Sequence, residues 1–256
     1  GEFEKRGVEV ATAALCRLKP EFERAVKDFE ARGVDAIVTL HLAYSPSLES
    51  ADALAGTALP VVVLDTTPAD DFSPLQDPGE IMYNHGVHGV QDLCNMLLRL
   101  GKPFRIEAGH WRESDVIDRC VGHVRSARLA ASLRRARVGR IGEPFRGMGD
   151  FAVRPEKLLR TLGVETVACE PQAVAELLPR ADAPEVEAEM AADRGRFAVE
   201  GLDPEVHRGT VRVSLAVRRW IEREKLTAFT MNFLAVTRAS GLPTVPFLEA
   251  GKAMAR

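Results

Sequence analysis

Short β-branched runs alternate along the chain with stretches in which apolar residues recur every three or four positions. Seven runs predict strands: "VEVATA" (8–13), "DAIVTLHL" (35–42), "PVVVLDTT" (60–67), "FRIEAG" (104–109), "RVGRIG" (137–142), "VETVAC" (164–169) and "LTAFTMNF" (226–233). Most are continuous apolar runs, the pattern of strands covered on both faces. The intervening segments carry helical periodicity. In "PEFERAVKDFEARG" (20–33), Pro20 suits a first turn, Gly33 suits a stop, and Phe22, Val26 and Phe29 share one face. A longer helical pattern covers 113–136, and another covers 203–225, with Val206, Val213, Val217 and Trp220 forming an inward stripe. Strand–helix alternation of this kind predicts an α/β fold with parallel sheets. A new strand opening at Val138 after an arginine-rich helix end places a domain boundary near 135. The domains are therefore 1–135 and 136–256, the second incomplete and carrying a helical insertion over 184–225. "GEFEKRGVEV" reads as the tail of a helix entering a strand, and "PFLEAGKAMAR" as a helix without a cap, so the chain reads as part of something longer.

Composition narrows the function classes. The 256 residues are 46% hydrophobic and 28% charged, ordinary for a globular protein. A net charge of -3 offers no basic field for nucleic acid. No apolar run approaches the ~20 residues needed to span a bilayer, and the start has no signal-like segment; neither a nucleic-acid nor a membrane partner is expected. Cys16, Cys94, Cys120 and Cys169 are scattered, with no CxxC pair. They read as reduced thiols, mostly buried, in a cytoplasmic protein.

Parallel α/β sheets bind ligands beyond the carboxyl ends of their strands. The segment after 35–42 supplies His41, Tyr44, Ser45 and Ser47. A long polar loop after 60–67 ends in "NHGVHG", with His85 and His88 at the mouth of a helix. After 104–109 come His110 and Trp111, and after 137–142 comes "EPFRGMGDF", where Gly147 and Gly149 flank Met148. The His85–His88 pair admits three readings: metal ligation, with carboxylates such as Asp65 or Asp92 completing the set; contact with a polar substrate; or a structural turn. His41 reads as a satisfied strand-end histidine, His123 and His207 as helix-surface residues, and Trp111 as core. The dinucleotide, nucleophile-elbow and phosphate-loop signatures are absent. The residues alone thus point to a small hydroxylated ligand held at strand ends.

Four strings in order, "HLAYSPS", "NHGVHGVQD", "GHW" and "GMGDFAV", resemble the L-arabinose isomerase / L-fucose isomerase family, in particular its arabinose-isomerase-like branch. The resemblance implies two Rossmann-like domains and a C-terminal domain outside this chain. It implies aldose–ketose isomerisation through an enediol, with a divalent metal, usually manganese, and a pair of carboxylates. By the same resemblance Tyr44, His85, His88, Met148 and Asn232 are substrate-binding residues. His88 keeps the family's histidine, and His85 stands where the family has glutamine. Sites would form between subunits of a homo-oligomer, a trimer or hexamer. The first catalytic, metal-binding glutamate falls at Leu234 in "FTMNFLAV"; the second lies past Arg256. Glu249 is either an acidic stand-in or a helix-surface residue. A non-catalytic carbohydrate-binding relative and an oligomerisation module are the alternative readings.

Overall fold

The computed structural model describes residues 1–71 and 73–255. The chain is a mixed α/β protein that divides into two compact units, Gly1–Ala131 and the residues from Ser132 onward. In the first unit the elements run α1 (Lys19–Arg32), β1 (Ile37–Leu40), α2 (Ala51–Gly56), β2 (Val61–Asp65), α3 (Gly86–Arg99), β3 (Phe104–Ala108) and α4 (Val116–Leu133). The three strands form one parallel sheet with β2 in the middle.

Its central position explains why β2 is apolar without interruption. Val61 and Val63 join Ile37 against Val26 of α1, Ala51 and Leu54 of α2, and Val90, Leu93 and Leu97 of α3. Val62 and Leu64 point the other way, into Val116, Ile117, Cys120 and Val121 of α4. Each such burial stabilises by roughly 1.5–3 kcal/mol, and a slip of one residue would exchange the two faces. The outer strand β3 is largely exposed; Ile106 is 44% accessible. Helix α1 starts and stops as its sequence predicts. The Glu21 carboxylate accepts from the amides of Arg17 (2.6 Å) and Leu18 (2.9 Å), and Gly33 closes the helix at φ 65°.

One predicted strand does not form. Residues 8–13 have no regular structure; Val8 packs beside the α4 side of the core, while Val10 and Leu15 face solvent. The segment pairs with no neighbouring strand among the described residues, and strand propensity without a ladder does not hold a strand.

The second unit contains β4 (Arg137–Ile141), α5 (Pro155–Leu162), β5 (Glu165–Cys169), α6 (Pro171–Ala175), α7 (Pro184–Arg196), α8 (Pro204–Glu224), β6 (Ala228–Met231) and α9 (Phe247–Met254). Its sheet is parallel, in the order β5-β4-β6. Three helices thus lie between β5 and β6 in sequence. Asp203 caps α8 by accepting from the Glu205 amide at 2.7 Å, and Lys225, at φ 52°, ends it. Val213, Val217 and Trp220 are buried as their spacing predicts, but Val206 is exposed. The inward position of that first turn belongs instead to His207, which is 5% accessible and lies 3.0 Å from Asp193 of α7. It is not a surface histidine.

Between α7, α8 and α9 lies a buried ionic cluster. Arg218 forks onto Glu189 (2.6 and 2.9 Å) and onto Glu249 (both 2.9 Å); Lys252 binds Glu189 at 2.8 Å and also pairs with Asp193. Glu249 and Lys252 are almost inaccessible. Glu249 is therefore a buried tie between helices, not a surface acid.

Candidate functional site

Beyond the carboxyl ends of β1 and β2, the structure brings together three residues that the sequence singles out. The rings of Tyr44 and His85 lie 5.4 Å apart, and those of His85 and His88 lie 4.5 Å apart. Tyr44 follows β1 and is half exposed; both histidines are half-buried in the entry to α3. The glycines beside them allow this approach. A Cβ on Gly86 would stand 2.4 Å from the His41 carbonyl oxygen, and one on Gly89 would stand 2.9 Å from the His41 ring. Only glycine lets the first turn of α3 settle directly onto the segment after β1.

Several buried polar atoms at this edge have no hydrogen-bond partner among the described residues: Thr39 Oγ1, His41 Nδ1, Thr66 Oγ1 and His88 Nδ1. Buried groups of this kind normally find partners, so a concentration of orphans marks a place that gains from a polar ligand. Burial pushes the His41 imidazole below its ordinary range, which favours the neutral ring. Burial likewise raises the Asp65 carboxyl at the end of β2. His41 is thus not satisfied as the sequence suggests. Asp92 is committed elsewhere, accepting the Ser47 amide at 3.1 Å.

Asn84 was not singled out from sequence, yet it positions the pair. It is 4% accessible; its Oδ1 accepts the Ala69 amide (3.2 Å), and its Nδ2 donates to the Glu80 carbonyl (3.3 Å). One side chain thereby ties the beginning of the long loop to the residue before His85.

A second group stands where β2 and β3 end. Ligand atoms of Asp70, His110 and Glu113 all lie within 4.8 Å of one another. Trp111 is 38% accessible, with the Arg112 guanidinium 4.6 Å over its ring; it is not core.

In the second unit, Asn232 follows β6. Its amide donates to the Glu143 carbonyl (2.7 Å) and its oxygen accepts the Leu234 amide (3.0 Å). It thus fastens the start of the segment that carries Met148, which is half exposed. The neighbourhood is apolar: Phe145 stacks against Phe151 (5.6 Å) and Phe233 (5.2 Å), and Leu234 is 64% accessible. All four cysteines are free, and only Cys120 is fully buried. Among the described residues no helix is long and apolar enough to cross a membrane.

No protein-family model matches the chain. Over 159 residues it is 28% identical to the L-arabinose isomerase of Acidothermus cellulolyticus, a match covering 59% of this chain and 31% of that protein. The chain therefore corresponds to less than a third of that protein's length, and the similarity is that of a distant relative of an isomerase.

Proposed function

We propose that the chain forms the ligand-holding face of a sugar isomerase that interconverts an aldose and its ketose. The observation that carries this reading is the Tyr44–His85–His88 cluster, edged by orphaned buried polar atoms, in a chain similar to an L-arabinose isomerase. A sugar presents adjacent hydroxyls that both donate and accept. Such groups suit polar side chains of this kind, while Tyr44 offers a flat surface to the ring's C–H face. Met148 and Asn232, in the second unit, remain candidate substrate contacts in this reading.

Isomerisation also needs groups that move a proton between adjacent carbons. At the end of β6, where the resemblance puts the first metal-binding acid, stands the hydrocarbon side chain of Leu234. Asn232 is engaged with backbone groups, and Glu249 is held by Arg218. These residues do not fit a divalent metal, and no proton-transfer step is assigned to them. In this reading the acids, and the ligands of a manganese-type metal, come from a C-terminal domain and a neighbouring subunit of a cytoplasmic homo-oligomer. The test is ketose formation from a panel of pentoses and 6-deoxyhexoses with manganese. Turnover that falls sharply in His88→Ala supports the reading.

Leu234 favours a second reading, a carbohydrate-binding relative without catalysis. It predicts sugar binding that manganese does not alter, measured by calorimetry with and without the metal, and no ketose from any sugar of the panel. Neither turnover nor binding would refute both.

A further inference from the structure

We propose that Asp70, His110 and Glu113 bind a divalent cation of the zinc class, which clamps the segment after β2 to the segment after β3. The proposal does not rest on the isomerase reading, and none of the three residues is among those that the resemblance assigns.

The fold makes the meeting inevitable. Strands β2 and β3 are parallel neighbours with Asp65 paired to Ala108, and the Gly109 amide continues the ladder by donating to the Asp65 carbonyl at 3.0 Å. Two segments distant in sequence therefore leave the sheet side by side. Asp70 comes from the first, His110 and Glu113 from the second. Their ligand atoms lie within 4.8 Å of one another. Zinc bonds to nitrogen and oxygen are about 2.0–2.2 Å, so a contraction of roughly 1 Å brings all three into coordination. Asp70 and Glu113 are exposed side chains that can swing through that distance, and His110 is half-buried and held in place.

The hydrogen bonds of His110 set which ring nitrogen could face a metal. Its Nε2 lies 3.3 Å from the Pro68 carbonyl, which can only accept, so Nε2 carries the proton. Its Nδ1 accepts the Glu113 amide at 3.2 Å and is therefore the unprotonated nitrogen; a metal would take that lone pair in place of the amide. Metal-bound histidines characteristically donate their other ring nitrogen to a carbonyl or carboxylate in this way. One imidazole and two carboxylates suit a borderline first-row dication rather than magnesium, and three protein ligands leave a position for water. Two adjacent carboxylates also repel each other, a cost that a dication cancels.

The clamp has a consequence at a distance. Ala69, next to Asp70, is bonded to Asn84, next to His85. Holding Asp70 to the β3 side therefore steadies the loop that delivers His85.

The test is calorimetric titration of metal-stripped protein with zinc chloride, manganese chloride and magnesium chloride, without sugar. We expect about one zinc per chain, weaker manganese and no saturable magnesium. His110→Ala, and separately the near-isosteric pair Asp70→Asn with Glu113→Gln, should each weaken zinc by at least about tenfold. Zinc should also slow hydrogen exchange over the loop preceding His85 in the unmodified protein. Absence of saturable zinc binding, or zinc binding that both variants leave unchanged, overturns the proposal. Because sugar plays no part, either result is independent of the isomerase reading.

Discussion

Replacing Glu189 by glutamine gives a sharp test of the ionic cluster in the second unit. The Glu189 side chain is only 19% accessible and sits between the Arg218 fork and the Lys252 ammonium. The hydrogen bonds from Arg218, reinforced by those from Lys252, hold its carboxyl at about 2, against 4.5 for a free glutamate. At about 1.36 kcal/mol per pH unit, ionisation of this one group contributes about 3 kcal/mol to folding. Because the folded value is depressed, that contribution is complete above about pH 4.5 and is lost as pH falls towards 2. Glu189→Gln keeps the shape but not the charge. The stability gap between wild type and variant should therefore be about 3 kcal/mol at pH 7 and should close progressively between pH 4.5 and 2. Urea unfolding at a series of pH values measures it. Trp220 is fully buried in the core of this unit, whereas Trp111 is exposed, so tryptophan fluorescence follows the relevant transition. A gap below about 1 kcal/mol at pH 7, or one that stays constant down to pH 3, would refute the reasoning.

Gly86→Ala places a methyl group 2.4 Å from the His41 carbonyl oxygen. It should lower thermal stability by about 1–3 kcal/mol, although alanine is the better helix former. Asp203→Ala removes the cap of α8 and should cost about 1 kcal/mol in denaturant unfolding. Burial pushes the Cys120 thiol up to about 11. Native alkylation at pH 8 followed by peptide mass analysis should leave Cys120 unmodified long after Cys16 has reacted.

The sheets were the most legible part of the sequence. Valines 61–63 with Leu64 announce a strand covered on both sides, because a central parallel strand needs apolar residues on both faces. The run at 8–13 also carries β-branched residues, but a strand is a property of two segments, and propensity does not reveal the partner. His85 and His88 stand at the start of α3 as their string suggests, and Tyr44 joins them because β1 and the first turn of α3 touch through Gly86 and Gly89. The unpartnered atoms of Thr39, His41 and Thr66 were not legible, since burial without a partner is a tertiary property. Val206 and His207 show how little decides orientation at a helix end: one residue of rotation exposes the valine and buries the histidine. The meeting of Asp70 with His110 follows from the adjacency of β2 and β3, which spacing along the chain does not encode.

The most direct measurement is calorimetric titration of the same panel of pentoses and 6-deoxyhexoses into wild-type protein and into His88→Ala, with unfolding midpoints recorded in parallel. Saturable uptake by wild type, weakened at least about tenfold in the variant while its midpoint is unchanged, is the result expected if the edge of the first sheet holds a sugar. Equal affinity in both proteins, or none in either, would contradict it.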